Sequence, residues 1–110
     1  MYPKITLLHA SICSALGSPA RIEILNALSE GEKNVKEITN RLGLRQANVS
    51  QHLSVLRQRN IVLARREGNT TVYAVSNPKI ITACRLMREV LLEQFEKNEE
   101  LVAELRDVTG

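Results

Sequence analysis

Apolar and polar residues recur with two different periods along the chain, and the change of period separates helices from strands. Up to about residue 60 the apolar positions follow the three- and four-residue spacing of amphipathic helices. Four consecutive segments with this spacing predict helices: ITLLHASICSALG, ARIEILNALSEG, VKEITNRL and LRQANVSQHLSVLRQRN. The β-branched runs IVLARRE and TTVYAVS then indicate two strands. From Pro78 to about Asp107 the helical spacing returns, which predicts a last, long helix.

Turn-forming residues divide these segments. Ser18 and Pro19 supply an N-cap and a first-turn proline for the second helix. Gly43 supplies the left-handed conformation that ends the third helix, immediately before the fourth. Gly68-Asn69 between the two strands is a two-residue hairpin signal. Two short helices joined by a glycine turn and followed by a hairpin predict a winged helix-turn-helix fold, mainly α with a two-stranded β-hairpin wing, in the order α-α-α-α-β-β-α.

Chain length and composition fit one globular domain over residues 1–110. Of the 110 residues, 44% are hydrophobic and 25% are charged, which is typical of a folded domain with a modest core. No run approaches the roughly 18 apolar residues that a membrane-spanning helix needs. The start, MYPKITLLHASIC, lacks the features of a secretory signal, so we expect a cytoplasmic protein with no membrane partner.

The distribution of charge is more informative than the net charge of +3. Residues 44–73 contain five arginines and one acid, whereas residues 89–110 contain seven acids and two basic residues. A basic segment that coincides with the helix-turn-helix and the hairpin indicates a face that meets a polyanion. The sequence therefore predicts double-stranded DNA as the partner.

The fourth predicted helix has the side chains that read base pairs in the major groove. With Val49, Leu53 and Leu56 turned to the core, its first turns present amide, hydroxyl and methyl groups and no carboxylate. Asn and Gln can pair with adenine, Ser can bond several base edges, and small apolar groups can contact the thymine methyl. The predicted base-contacting residues are Gln46, Ala47, Asn48, Ser50 and Gln51.

A second set of polar residues surrounds this helix and the hairpin, where the DNA backbone would pass. Their side chains can donate hydrogen bonds to phosphate or enter the minor groove. The predicted backbone and wing residues are Arg45, His52, Arg57, Arg65, Arg66, Asn69, Thr70 and Thr71.

The same residues bear on two other classes of function. His52 beside Ser50 and Ser54 has no acidic partner and no glycine-rich elbow nearby, so we do not expect an enzyme. The alternative is a winged-helix protein–protein interaction module whose basic face is incidental. Salt-dependent binding to duplex DNA would distinguish the two, because a protein that neutralises phosphates must bind more weakly as salt rises.

Three stretches carry a resemblance to a known family: SPARIEIL, VSQHLSVLR and IVLARREGNTTVYAV. Together, over about residues 17 to 76, the chain resembles the ArsR/SmtB family of dimeric winged-helix transcriptional repressors. The resemblance implies a homodimer joined through its first and last helices, here about residues 4–16 and 78–107. It also implies a repressor that binds an inverted-repeat operator and is released from DNA by an effector.

The chain departs from the family pattern at several positions. Arg45 stands where the family usually has a serine that caps the recognition helix, so this cap is expected to be lost. VKEITNRL lacks the cysteine pair of the arsenic and cadmium sensors, and the last helix lacks the histidines of the zinc sensors. The cysteine pair of the sulfide and redox sensors is also incomplete, with Asn26 at the expected position.

The remaining effector candidates are His9, Cys13 and Cys84. His9 and Cys13 are four residues apart and share a helix face. With Cys84 they could bind Zn²⁺ or another thiophilic metal ion. Alternatively, Cys13 and Cys84 could form a reversible disulfide, or both could simply be small buried hydrophobic residues. The sequence leaves these three alternatives open, and DNA binding itself requires no cofactor.

Overall fold

The computed structural model describes residues 1–96 and 99–109. The single domain expected over residues 1–110 divides into two compact units, residues 1–78 and residues 79–110. The first unit contains the four predicted helices and the two predicted wing strands, together with one further short strand. They are α1 (Lys4–Ala15), α2 (Pro19–Leu28), β1 (Lys33–Asn34), α3 (Val35–Leu42), α4 (Gln46–Gln58), β2 (Val62–Glu67) and β3 (Thr70–Val75). The four helices and the two wing strands are confirmed, and β1 is an addition that the sequence pattern did not predict.

The helix ends follow from local chemistry. Ser18 caps α2 by accepting a hydrogen bond from the Arg21 amide (3.4 Å), and Pro19 occupies the first turn, as predicted. Asn34 and Glu37 form a reciprocal capping box at the start of α3. Gly43 ends α3 in the predicted left-handed conformation, at φ 68°. These ends fix the short turn that sets α4 against α3.

The wing is part of a three-stranded antiparallel sheet in the order β1-β3-β2. β2 and β3 pair from Val62 opposite Val75 to Glu67 opposite Thr70, which leaves Gly68 and Asn69 as a two-residue turn. Gly68 has a φ of 63°, a conformation that favours glycine at the first position of such a turn. The predicted hairpin is therefore confirmed, and β1 extends it along the other edge of β3.

The core of the first unit lies where α2, α3 and α4 meet the base of the wing. Eleven hydrophobic residues are buried there, and no polar or charged residue within the described part of the chain is buried with them. Those with no measurable exposure are Ile24, Ile38, Val49, Leu53, Leu56, Ile61 and Val62. Three of them come from α4, so the inward face of this helix is fixed by packing.

The second unit contains α5 (Pro78–Gln94) and α6 (Glu99–Thr109). The prediction of one helix from residue 78 to about residue 107 was therefore wrong. The end of α5 tightens, because the Glu96 amide donates to the carbonyl oxygen of Glu93, three residues back (3.3 Å). Glutamates at positions 93, 96 and 100 also place like charges at helical spacing, which disfavours a continuous helix. The predicted seam position Asn98 lies outside the described residues.

No helix among the described residues is both long enough and apolar enough to cross a lipid bilayer.

Candidate nucleic-acid interface

α4 has two chemically distinct sides. Val49, Leu53 and Leu56 are completely buried, at 0% exposure, and hold the helix against the core. The residues predicted to contact bases all lie on the exposed part of the helix: Gln46, Ala47, Asn48, Ser50 and Gln51. α4 contains no acidic residue, so nothing on its exposed face would repel phosphate.

The polar side chains of this face have no partner within the part of the chain that the structure describes. Among residues 1–96 and 99–109, no hydrogen bond or ion pair engages the side chains of Gln46, Asn48, Ser50 or Gln51. Exposed amides and a hydroxyl that are not used for folding remain available to base edges in a groove. Their role in base contact stays a prediction.

Two further residues extend this exposed face and were not included in the sequence prediction. Ala47, Gln51, Ser54 and Gln58 are separated by four, three and four residues, which places them along one ridge of the helix. Ser54 and Gln58 are exposed, whereas Val55 is half-buried. The spacing alone could have identified the ridge.

Arg45 occupies the N-cap position of α4 without acting as a cap. Its backbone is extended (φ −72°, ψ 140°), and its side chain makes no capping hydrogen bond with the helix. Arg45 is exposed, and it directly precedes the first turn, whose backbone amides have no carbonyl partner within the helix. The expected loss of the cap is therefore confirmed, and a positive charge adjoins the positive end of the helix dipole.

His52 is half-buried on the flank of α4 and contacts a residue that sequence analysis missed. Its Nδ1 lies 3.3 Å from a terminal guanidinium nitrogen of Arg21 in α2. The Nε nitrogen of Arg21 donates to the carbonyl oxygen of Ala15 at 2.6 Å. Arg21 therefore connects the end of α1 to the middle of α4.

The exposed tip of the wing presents the predicted small donors. Asn69 and Thr70 are exposed, and Thr71 is partly covered. The Arg66 guanidinium lies 3.4 Å from the Thr71 hydroxyl, directly across the hairpin, and it remains exposed. Arg57 at the end of α4 is also exposed, and no partner engages its side chain among the described residues. These groups can still reach phosphate.

Arg65 differs from the other predicted phosphate contacts, because two carboxylates already bind it. It forms a bidentate ion pair with Glu32, in which one N–O distance is 2.8 Å, and its second terminal nitrogen also lies 2.7 Å from Glu67. The hydrogen bonds from Arg65 hold the pKa of Glu32 below its usual value, and Glu32 raises the pKa of Arg65. The positive charge of Arg65 is therefore compensated within the molecule.

A shallow depression beside this ion-pair network is lined by Glu32, Asn34, Glu37, Glu67, Thr70 and Val72. Three of these six residues are carboxylates, so this side of the wing is electronegative. Arg65 lies on the same side of the hairpin as Glu67, whereas Arg66 lies on the opposite side. Because side chains alternate between the two sides of β2, Arg65, whose charge is compensated, and Arg66, whose charge is available, point to opposite sides of the hairpin.

The effector candidates lie in different units. His9 and Cys13 belong to α1 and are exposed, and Cys84 belongs to α5 and is half-buried. Both cysteines are free thiols, and burial raises the pKa of Cys84. Within the described residues, no group of three or more His, Cys, Asp or Glu side chains is arranged to hold a metal ion.

A helix with a buried apolar side and an exposed polar side, followed by a β-hairpin wing, is the arrangement of winged helix-turn-helix DNA-binding proteins.

Sequence similarity to known proteins identifies the family. Residues 18–63 match the model of the bacterial regulatory proteins of the arsR family. The chain is 36% identical over 100 residues to the HTH-type transcriptional regulator Rv0081 of Mycobacterium tuberculosis, which covers 90% of this chain and 88% of that protein. It is also 37% identical over 91 residues to the biofilm growth-associated repressor of Agrobacterium fabrum, which covers 83% of this chain and 74% of that protein.

Solved structures of transcriptional regulators share the fold of this chain. The crystal structure of Rv0081 superposes with a TM-score of 0.77 at 35% identity, covering 87% of this chain and 97% of that one. The homodimeric winged helix-turn-helix domain of Mb0332 from Mycobacterium bovis, solved by NMR, superposes with a TM-score of 0.78 at 28% identity, covering 86% of this chain and 87% of that one. The chain belongs to the ArsR family. It is a DNA-binding transcriptional regulator and not an enzyme, and the fold, the family and this function are confirmed.

Proposed function

We propose that the protein is a cytoplasmic, homodimeric repressor that reads an inverted-repeat operator with α4. The observation that carries the proposal is the exposed, acid-free face of α4, whose polar side chains have no partner within the described part of the chain. In this scheme Gln46, Ala47, Asn48, Ser50 and Gln51 contact base edges. Arg45, His52, Arg57, Arg66 and the wing tip contact the backbone.

The binding of this face to bases can be tested with two glutamines on the same ridge of α4. Gln51 lies in the second turn, whereas Gln58 is the last residue of the helix, about 10 Å further along the axis. Because recognition helices insert their N-terminal part into the groove, Gln51→Ala should relax the preference at one base pair by roughly 1–3 kcal/mol. Gln58→Ala, the matched control, should leave this preference unchanged.

The measurement is fluorescence anisotropy with a selected operator and with single-base variants of it. Base contact by Gln51 would be refuted if wild type bound every duplex with equal affinity. It would also be refuted if Gln51→Ala reduced the affinity for all duplexes equally. Repression is tested separately by in vitro transcription from a promoter that contains the operator, where added protein should reduce the transcript. An increased transcript would identify an activator.

The exposed apolar surfaces of α1 and α5 support a dimer joined through α1 and the first part of the predicted last helix, residues 78–107. On α1, Ile5, Leu7 and Leu8 are 53–72% exposed. On α5, no residue is buried in the single chain, and the exposed apolar residues are Leu86, Met87, Val90 and Leu91. Surfaces of this kind are typical of an interface between subunits. A two-fold dimer would place two α4 helices at half-sites ~34–36 Å apart.

This interface predicts that Leu8→Glu and Leu91→Glu each shift the protein toward the monomer in analytical ultracentrifugation. Leu63→Glu is the matched control, because Leu63 is similarly exposed (56%) but belongs to the wing. Dimers that persist in both helix variants would place the interface elsewhere.

For the effector, we propose thiol chemistry that begins at Cys13, through oxidation or a thiophilic metal ion. Cys13 is exposed, whereas burial raises the pKa of Cys84 and so lowers its fraction of reactive thiolate at neutral pH. A metal ion would need donors beyond His9 and Cys13, and within the described residues no group of three or more possible ligands is arranged to hold one. In operator titrations, oxidants or thiophilic metal ions should change the affinity of wild type for the operator and leave the affinity of Cys13→Ser unchanged. Equal affinities under all conditions would exclude both effectors.

A further inference from the structure

The side chain of Arg21 occupies a fixed position between three helices. Its backbone amide donates to the Ser18 cap, and its Nε donates to the carbonyl oxygen of Ala15, the last residue of α1. Ala15 is only 1% exposed, so this anchor point is itself held in the core. One terminal nitrogen of the guanidinium then faces the imidazole of His52 on α4.

The chemistry of the two side chains determines which nitrogen of His52 carries the proton. A guanidinium has only N–H donors and no acceptor, whereas a neutral imidazole has one donor and one acceptor. The contact of 3.3 Å between Arg21 and Nδ1 is favourable only when Nδ1 offers its lone pair. The proton of the neutral ring must then reside on Nε2.

The Nε2 nitrogen has no hydrogen-bond partner within the described part of the chain. His52 is half-exposed and follows Gln51 directly, so it lies on the flank of the face that would enter the groove. DNA phosphates border the groove and accept hydrogen bonds from neutral donors at such flanking positions.

We propose that Arg21 is a positioning residue that fixes His52 as the Nε2–H tautomer and directs this donor to a DNA phosphate. The phosphate contact rests on the proposed function, but the tautomer does not, because it is a property of the free protein. Arg21 itself contacts no DNA in this proposal.

The tautomer is tested by long-range ¹H–¹⁵N correlation spectra of the free, ¹⁵N-labelled protein. Wild type should show His52 with an unprotonated Nδ1 and a protonated Nε2, and Arg21→Met should show a measurable population of the Nδ1–H form. The matched control is Arg59→Gln. Arg59, the C-cap residue of α4, also donates to α1, to the Ser11 hydroxyl at 3.0 Å, without contacting His52. This variant should keep the wild-type tautomer, and an Nδ1–H ring in wild type would overturn the assignment.

The phosphate contact is tested by two substitutions at His52. The amide nitrogen of His52→Gln can replace Nε2–H, whereas the shorter His52→Asn reaches only the position of Nδ1. Operator affinity should fall by about tenfold in His52→Asn, the size expected for loss of a hydrogen bond to a charged group, and by much less in His52→Gln. Equal affinities for wild type and both variants would overturn the phosphate contact.

A double-mutant cycle separates positioning from mere support of the fold. Glutamine has no tautomer to set, so Arg21→Met should reduce affinity less in the His52→Gln background than in wild type. Equal losses of operator affinity in both backgrounds would mean that Arg21 only stabilises the fold and does not position His52. If Arg21→Met does not fold, Arg21→Gln replaces it in the spectra and in the cycle, and the same outcomes decide the proposal. If wild type shows the tautomer but binds no duplex DNA, the proposed function fails and the tautomer assignment stands.

Discussion

The recognition helix and the wing both carry polar and basic residues, but they use them differently. On α4, buried apolar residues hold the helix against the core, and its exposed amides have no partner in the described part of the chain. On the wing, Arg65 is bound by Glu32 and Glu67, and only Arg66 and the tip remain free to meet phosphate. A charged residue is therefore available to a ligand only where folding has not already paired its side chain.

The largest effect is expected from removing the packing that fixes α4. Leu53 has no exposed surface, so Leu53→Ala should reduce the free energy of unfolding by about 2–5 kcal/mol through lost burial and the cavity it leaves. Its exposed neighbour provides the control, because Ser54→Ala should change stability by less than about 0.5 kcal/mol. Urea denaturation measures both, and similar losses in the two variants would contradict the proposed division of α4.

Arg45→Ser should change stability and DNA binding in opposite directions. A serine at this N-cap can accept a hydrogen bond from the first turn of α4, which should stabilise the protein by about 1 kcal/mol. The lost guanidinium should weaken DNA binding and reduce the salt slope by about one phosphate contact. An unchanged slope would remove Arg45 from the set of phosphate contacts.

Arg57 and Arg65 allow a direct test of available against compensated charge. Arg57→Gln should reduce the slope of log affinity against log salt by about one, because the exposed Arg57 has no partner in the described residues. Arg65→Gln should leave the slope nearly unchanged, since Glu32 and Glu67 already bind this side chain. A loss of slope in Arg65→Gln equal to that in Arg57→Gln would show that Arg65 exchanges its carboxylates for phosphate on DNA.

The smallest effect concerns the pH dependence of stability. Because Arg65 lowers the pKa of Glu32 in the folded protein, the pair stabilises the fold above the usual carboxyl pKa of 4.5 and loses this effect as pH falls through the lower, folded value. The stability difference between wild type and Glu32→Gln should therefore be present at pH 7 and vanish in acid. Both side chains are about half exposed, so the difference should be small and further reduced by salt.

Much of the local structure followed from residues close together in sequence. Ser18, Pro19, Gly43 and the Gly68-Asn69 turn set element ends that the structure confirms. β1 could not be found this way, because its two residues are a strand only through pairing with Val72 and Tyr73 of β3. The single long C-terminal helix was wrong because periodicity continued through an acidic stretch where α5 ends.

The sequence by itself determined the first four helices, the hairpin and which face of α4 is polar, since these depend on spacing and turn chemistry within a few residues. Only the tertiary structure decided which polar groups remain free. Arg65 meets Glu32 and His52 meets Arg21 across 33 and 31 residues of chain, respectively. Such pairings depend on how the elements pack, because a side chain's partner is chosen by distance in space and not by position along the chain.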